Sequence, residues 1–329
     1  MIRSVSVAKK GLQARQSDAV LLLKLTLDPM ILFMVKEGYL LHPNLFESVP
    51  FGKSLTARLL HQRTSETLAD DPNNDPSVSI VVRSFNEANK LEWLIEDIHD
   101  QLFSGEVEVV VVDNGSSDRT PQVAKYYGAE VVSLPQSDFN YPKSLDLGLE
   151  AASNDLVFVT VAHARLSNIH NLHAGARHFS KNDDTAGAFG TTLPNEGASY
   201  LERWGVTANY YVCLARPARR IKMVGPGVLA ATNAMIAKPV WRELGRFDQR
   251  YEAGGEDTAL AKLMLKNGYG VVQEPALTVH HSHGLGFGDS LKQLVHQLQI
   301  LRAPRQFDSQ ALLARRPDLR ANRPVPEIP

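Results

Sequence analysis

The chain is poor in cysteine and in net charge, and both shortages exclude classes of protein. Cys213 is the only cysteine among 329 residues, which excludes a disulfide within the chain and a zinc site with two cysteine ligands. The 35 lysines and arginines nearly balance the 36 acidic residues, so the net charge is −1. Domains that bind nucleic acid by bulk charge are usually clearly basic, and we therefore expect no nucleic-acid partner.

The sequence also lacks a long apolar run. A membrane-spanning helix needs roughly 20 apolar residues, and the most apolar early segment, residues 19–35, is interrupted by Lys24, Asp28 and Pro29. That segment is typical of short helices packed on the main domain, with an interfacial helix on a membrane as the alternative. No apolar stretch of a signal peptide follows the basic N-terminal residues, which predicts a cytoplasmic location.

A regular alternation of strands and helices begins after an Asp-, Asn- and Pro-rich segment at residues 68–76. Runs rich in valine and other apolar residues predict four buried strands, at 78–82, 107–112, 131–134 and 156–161. Apolar periodicity and spacing predict three intervening helices, at 91–102, 120–127 and 145–152. This order predicts an α/β fold with a doubly wound, mostly parallel sheet, in which ligands bind beyond the carboxyl ends of the strands.

Polar side chains follow three of the predicted strands, in residues 83–87, 113–118 and 162–165. Each group alone is compatible with ordinary turn chemistry, but three such groups at one sheet edge favour a nucleotide site. The first of these turns contains no glycine, which argues against a dinucleotide-binding Gly-x-Gly-x-x-Gly motif, and no Gly-x-x-x-x-Gly-Lys loop is present. The charge of a pyrophosphate must then be met by a metal or by basic side chains.

Several segments resemble family 2 glycosyltransferases, which have the GT-A fold. The nucleotide-binding half of that family is similar to VSIVVRSFNEANKLEWLI, VEVVVVDNGSSDRT and DFNYPKSLDLGLEAASNDLVFVT. The acceptor half is similar to residues 225–269, and the likeness is greatest to enzymes that build bacterial surface polysaccharides. The resemblance implies a GT-A domain at 76–284, between a mostly helical extension at 1–75 and a C-terminal helix with a basic tail at 285–329.

The resemblance implies a site for a nucleoside-diphosphate sugar. Asp113 matches the acidic residue that receives the nucleobase or ribose, and its carboxylate can accept a hydrogen bond from a base N–H. Asn86 and Glu87 match the Asn-Glu pair near the ribose, with helix capping as the alternative for Glu87. Lys143 matches a basic position near the nucleotide, and Asp146 stands where the family more often has Asn. The other expected donor contacts are Ser84, Ala162, Thr232 and Asn233.

The metal motif departs from the family. The family's Asp-x-Asp is replaced by Val161-Ala162-His163, so that His163 stands at the position of the second, metal-binding Asp. Further along, His281 and His283 share one side of an extended segment. These three histidines predict a divalent metal, with Mn²⁺ favoured over Mg²⁺ because Mg²⁺ prefers oxygen ligands. The alternative is a metal-poor site in which histidines and Lys or Arg contact the phosphates directly.

The acceptor half contains the expected base. Glu256 and Asp257 follow two glycines and open an apolar-periodic helix, whose N-terminus is expected to keep a carboxylate ionised. In the family the Asp of this pair takes the proton of the attacking hydroxyl, so Asp257 is the predicted base and Glu256 an orienting group. The sequence therefore predicts an inverting glycosyltransferase acting on a saccharide or lipid-linked acceptor. A retaining transferase and a non-catalytic sugar-nucleotide binder remain as alternatives.

Two further features concern partners. Aromatic residues between the two halves are candidates to stack on acceptor sugars, with core packing as the alternative: Trp204, Tyr210 and Tyr211. Five arginines after residue 302 are compatible with a solvated terminus, or with contact to anionic lipid on the inner face of the plasma membrane. The sequence does not predict an oligomeric state.

Overall fold

The computed structural model describes residues 62–63, 66–67, 73–182, 184–195, 198, 213, 216–225, 227–252 and 254–282. The predictions for most of the N-terminal extension, for the aromatic residues Trp204, Tyr210 and Tyr211, for His283 and for the C-terminal tail lie outside these residues. The domain boundaries at 75 and 284 stay predictions. None of the helices in the described ranges is long and apolar enough to cross a membrane.

One sheet contains all nine strands of the described residues. The strands are β1 (Val78–Ser84), β2 (Val107–Asp113), β3 (Glu130–Ser133), β4 (Leu156–Val161), β5 (Arg165–Leu166), β6 (Thr185–Leu193), β7 (Arg219–Arg220), β8 (Ala234–Ala237) and β9 (Gly270–His280). Their order is β3-β2-β1-β4-β8-β6-β9-β5, and β7 pairs with β9. The strands from β3 to β4 are all parallel, whereas β8 runs antiparallel to both β4 and β6. The mostly parallel, doubly wound sheet expected from the sequence is confirmed, and the antiparallel pairs lie beyond β4.

Helices cover both faces of the sheet. They are α1 (Ala88–His99), α2 (Thr120–Tyr126), α3 (Tyr141–Ala151), α4 (Asn171–Lys181), α5 (Lys238–Glu243) and α6 (Glu256–Lys266). Buried side chains of α1, α2 and α4 pack with one set of strand residues, and those of α3, α5 and α6 pack with the alternate set. Because successive strand side chains point to opposite faces, the nearly continuous apolar runs of β1 and β4 supply both layers of the core.

The start of α3 differs from the prediction. The helix begins at Tyr141 rather than at Leu145, because Asn140 caps it and Pro142 occupies its first turn. The Asn140 side-chain oxygen accepts a hydrogen bond of 2.7 Å from the Lys143 backbone N–H. This cap brings the N-terminal end of α3 to the carboxyl edge of β1 and β2.

Candidate active site

The carboxyl ends of the three central strands meet at one edge, as expected. Ser84 on β1 is in register with Asp113 on β2, and Arg83 is in register with Val161 on β4. The residues that follow these strands therefore begin at the same level. The sheet thus brings the predicted nucleotide residues and the altered metal motif to a common site.

Asn86 joins the loops that follow β1 and β2. Its side-chain oxygen accepts hydrogen bonds from the backbone N–H groups of Ser117, at 2.7 Å, and Asp118, at 3.3 Å. Its own N–H donates to the Ser116 hydroxyl, and its backbone is left-handed at φ 54°, a conformation that asparagine tolerates. Asp113, only 5% exposed, accepts a hydrogen bond from the Ser116 N–H. Asn86 therefore holds the loops after β1 and β2 together. The donor contacts predicted for Asn86 and Asp113 stay predictions.

The other predicted donor residues lie at or under the same edge. Ser84 is buried, and its hydroxyl has no hydrogen-bond partner among the described residues. Ala162 is fully buried, with its N–H donating to the Arg83 carbonyl at 3.0 Å. Lys143 lies in the first turn of α3 and remains exposed, 3.5 Å from the Asp138 carboxylate. The predicted contacts of Ser84, Ala162 and Lys143 with a donor stay predictions.

Thr232 and Asn233 brace the sheet from the loop before β8. The Thr232 carbonyl accepts a hydrogen bond from the Thr160 hydroxyl, at 3.0 Å. The Asn233 amide donates to the carbonyls of Thr191 and Leu277, at 2.9 and 2.8 Å. This buried amide holds β6 and β9 together, so its predicted donor contact would come in addition to a structural role.

His163 and His281 face each other across the strand-end edge. Their Nε2 atoms are 3.1 Å apart, and the rings are stacked with centroids separated by 4.9 Å. On its other side, His163 Nδ1 lies 2.9 Å from the Glu87 carboxylate. Burial opposes ionisation of Glu87, but the hydrogen bond with His163 and the nearby charges outweigh it and lower the Glu87 pKa. The side chain of Glu87 makes no cap hydrogen bond to α1, so the helix-capping alternative is wrong.

This pair fits a divalent cation. Two metal–imidazole bonds of about 2.1 Å at a right angle would separate their nitrogens by about 3.0 Å, close to the spacing found. A carboxylate on the opposite nitrogen fixes the tautomer that leaves Nε2 free for a metal. Within the described ranges no group of three His, Cys, Asp or Glu side chains is placed to hold a metal ion, and the predicted third ligand, His283, lies outside them. His280 instead faces the Pro194 carbonyl, at 3.3 Å.

The acid pair opens α6 after two glycines with left-handed backbones, Gly254 at φ 113° and Gly255 at φ 101°. A side chain at either position would strain the turn that aims the helix N-terminus at the sheet edge. Glu256 is only 3% exposed, and its Oε2 has no partner in the described structure. Burial, reinforced by the charge of Asp257, raises the pKa of Glu256 to about 7.

Asp257 is held in place by backbone donors. Its carboxylate accepts hydrogen bonds from the N–H groups of Thr258, at 2.5 Å, and Ala231, at 3.2 Å. Burial nevertheless raises its pKa above the ordinary value, and these hydrogen bonds offset only part of that rise. Desolvation therefore has a larger effect on this pKa than the backbone donors, and the expectation that the carboxylate is deprotonated stays a prediction.

Asp146 anchors the segment that leads to the acid pair. It accepts hydrogen bonds from the Phe247 N–H and the Trp241 indole, each at 3.2 Å, and from the Gln249 amide at 2.7 Å. Burial raises its pKa to about 6, against the opposing effect of these donors. Asp146, which stands where the family more often has asparagine, thus links α3 to the acceptor half by hydrogen bonds.

Arg83 is a candidate functional residue to which the sequence reasoning gave no role. It is the penultimate residue of β1, is 9% exposed, and has its guanidinium carbon 5.2 Å from the centre of the Tyr141 ring. Burial lowers its pKa, and the charges of Glu256, Tyr141 and Asp257 partly restore it. The signal in the sequence was a cation directly after a β-branched run that predicts a buried strand.

Comparison with known proteins relates part of this chain to a family. The family model described as "Glycosyl transferase family 2" matches residues 79–240. The O-antigen chain rhamnosyltransferase WbaN of Salmonella anatum is 24% identical over 214 residues, covering 63% of this chain and 67% of that protein. A dolichyl-phosphate hexose transferase of Haloferax volcanii is 32% identical over 83 residues, covering 25% of this chain and 35% of that protein. The alignment thus spans about two thirds of the first relative and about one third of the second.

Solved structures share the fold. The mannosyltransferase PcManGT of Pyrobaculum calidifontis, in complex with GDP-Man and Mn²⁺, matches with a TM-score of 0.55 at 18% identity, over 81% of this chain and 76% of that chain. TarS 1–349 of S. aureus, in complex with UDP, matches with a TM-score of 0.50 at 16% identity, over 63% and 60%. The GT-A fold implied by the sequence is therefore confirmed. Residues 79–240 therefore match the family 2 glycosyltransferase model, in a domain with this fold.

Proposed function

We propose that this glycosyltransferase moves a sugar from a nucleoside-diphosphate sugar to a hydroxyl of a saccharide or lipid-linked acceptor, with inversion at the anomeric carbon. One observation carries the proposal: the buried carboxylates of Glu256 and Asp257 lie close enough to the end of β1 for their charges to act on Arg83. This supports the assignment of the predicted base and the predicted nucleotide residues to one site.

In a single displacement, the acceptor oxygen bonds to the anomeric carbon while the bond from that carbon to the diphosphate oxygen breaks. Asp257 takes the proton of the attacking hydroxyl, and its raised pKa makes it a stronger base than an exposed aspartate. The backbone N–H groups of Ala231 and Thr258 fix the orientation of its carboxylate. Glu256, whose Oε2 lacks a partner among the described residues, accepts a hydrogen bond from a second acceptor hydroxyl.

His163 and His281 are proposed to hold a divalent metal, with Mn²⁺ favoured and His283 as a third ligand. The metal, when bound, would stabilise the negative charge on the departing diphosphate. The 3.1 Å separation of the two Nε2 atoms and the Glu87 carboxylate behind His163 support this assignment. The presence of Mn²⁺ in the PcManGT complex agrees with it. The alternative, direct contact of the imidazoles with phosphate, requires no metal.

The biological setting is also part of the proposal. Similarity to an O-antigen rhamnosyltransferase supports a role in surface polysaccharide or glycoconjugate synthesis. We place the reaction in the cytoplasm, where the predicted contact with the inner face of the plasma membrane would bring a lipid-linked acceptor to the site. The donor sugar, its nucleobase and the oligomeric state are left open.

The test is donor turnover. The purified protein is incubated with a panel of UDP-, GDP- and dTDP-sugars and simple glycoside acceptors, with Mn²⁺, Mg²⁺ or EDTA, and released nucleoside diphosphate is measured. We expect turnover with at least one donor, stimulated by Mn²⁺. Replacement Asp257→Asn should reduce turnover by about 10²- to 10⁴-fold while donor binding survives. Glu96→Gln, at an exposed carboxylate on α1, is the matched control.

Each alternative has its own signature in the same assay. A product that retains the donor's anomeric configuration by NMR would identify a retaining transferase. Donor binding without turnover, in all metal conditions, would identify a sugar-nucleotide binder. Equal donor affinity with Mn²⁺, with Mg²⁺ and with EDTA would favour direct phosphate contacts by the histidines.

A further inference from the structure

Arg83 is a buried cation that has no ion-pair partner among the described residues. Its Nε is inaccessible to solvent and has no acceptor among the described residues. The strands on either side supply no acid, because its register partners are Val112 on β2 and Val161 on β4. Glu256 and Asp257 act on it electrostatically, but neither forms an ion pair with it within the described structure.

A buried arginine without a paired acceptor lowers the stability of the folded protein when no ligand is bound. Burying a charged group without a paired acceptor opposes folding, and buried polar groups in native proteins are nearly always hydrogen-bonded. A guanidinium offers five N–H donors in a planar fork, which suits the paired oxygens of a phosphate. The contact with the Tyr141 ring, at 5.2 Å, uses none of these donors.

The position of Arg83 indicates which group of a ligand would accept hydrogen bonds from its guanidinium. On one side lies the end of β2 with Asp113, where the nucleoside is proposed to bind. On the other side lies the acid pair, where the sugar is proposed to be transferred. In a nucleoside-diphosphate sugar, the diphosphate connects these two parts. The altered motif at Val161 removes the carboxylate that would otherwise occupy the strand next to Arg83.

We propose that Arg83 is a donor-binding residue of this site, whose guanidinium donates hydrogen bonds to oxygens of the donor diphosphate. This inference rests on the proposed function, because it takes a nucleoside-diphosphate sugar as the ligand. The diphosphate would supply hydrogen-bond acceptors to the buried guanidinium. In return, Arg83 would supply a positive charge to the phosphates at a site whose metal motif departs from the family.

The test is calorimetric titration of UDP, GDP and dTDP, of their monophosphates and of the panel of UDP-, GDP- and dTDP-sugars into the wild-type protein and into Arg83→Gln and Arg83→Lys, with and without Mn²⁺. The nucleoside diphosphate that binds the wild type should bind Arg83→Gln at least about tenfold more weakly, since a hydrogen bond to a charged group is lost. Arg83→Lys keeps the charge but not the fork, and should be intermediate. The loss should be smaller for the matching monophosphate.

Arg220→Gln is the matched control, because Arg220 is an arginine paired with Asp184 at the surface. It should change the affinity by less than about twofold. Circular dichroism of each variant checks the fold, and Arg83→Lys keeps the test informative should Arg83→Gln fail to fold.

Three results would overturn the inference. If Arg83→Gln binds the nucleoside diphosphate as tightly as the wild type but shows a shifted pH profile of turnover, Arg83 serves the acid pair instead. If its affinity falls for the sugar nucleotide alone and not for the nucleoside diphosphate, Arg83 contacts the sugar. If the wild type binds none of the nucleotides, the proposed function fails together with the inference.

Discussion

The buried carboxylate of Glu256 predicts that the protein loses stability as pH rises. Its pKa is about 7 in the folded protein against an ordinary value of 4.5, so the folded state holds a proton that the unfolded chain has already released. Stability should therefore fall between pH 4.5 and 7 and stay level above this range. At about 1.36 kcal/mol for each pKa unit, the total loss is roughly 3 kcal/mol.

Replacement Glu256→Gln removes the titrating group while keeping its shape. We expect the variant to match the wild type near pH 4.5 and to be about 2–3 kcal/mol more stable at pH 8, with part of the gain offset by the lost attraction to Arg83. Transfer activity should fall in the same variant, because Glu256 is proposed to orient the acceptor.

The measurement is urea unfolding of both proteins at pH 5, 6, 7 and 8. Glu96→Gln, at an exposed position of α1, is the control and should follow the wild-type pH dependence. The reasoning is refuted if Glu256→Gln loses the same stability between pH 5 and 8 as the wild type. In that case the carboxylate of Glu256 is ionised throughout this range.

Two further predictions concern the core. Gly190→Ala should abolish folding, since a Cβ there would lie 1.2 Å from the Leu277 carbonyl oxygen. Gly225→Ala should fold normally, since no described atom lies within 4 Å of the Cβ it would add; circular dichroism distinguishes the outcomes. Glu274→Gln should cost about 3–5 kcal/mol in urea unfolding at pH 7, because it removes the buried carboxylate charge that faces the Arg177 guanidinium and the His178 ring on α4. Asp184→Asn, which breaks an exposed pair, should cost less than about 1 kcal/mol. A loss below 1 kcal/mol for Glu274→Gln would contradict the first of these figures.

The nucleotide half was predictable because its central strands, β1 and β4, are buried on both faces. Such strands read as continuous runs of apolar and β-branched residues, and the strand predicted at 156–161 coincides with β4. The acceptor half gave no such signal. The strand β6 reads TAGAFGTTL, in which small residues replace the usual β-branched ones because neighbouring backbone and side chains approach closely. Its strand character comes from pairing with β8 and β9, which the sequence does not display.

The limits of prediction at the site have a similar origin. The resemblance identified His163 and Glu87 as separate site residues, but not their contact, because it depends on where two strands end in space. The helix-dipole argument for Asp257 did not include burial, which the sequence does not show and which raises its pKa. Arg83 was visible as a strand-end cation, but its lack of a counter-ion became evident only from the register of its neighbours.

The antiparallel strand β8 also constrains how the enzyme can move. Its four residue pairs with β4, and its further pairs with β6, join the nucleotide half and the acceptor half in one hydrogen-bonded sheet. The two halves therefore cannot swing apart as lobes about a hinge without breaking backbone hydrogen bonds in the middle of the core. Movements that admit and release substrates are therefore expected in the loops beyond the strand ends. The sheet itself should keep its shape. The geometry between Asp113, Arg83 and Asp257 should consequently stay constant through the catalytic cycle.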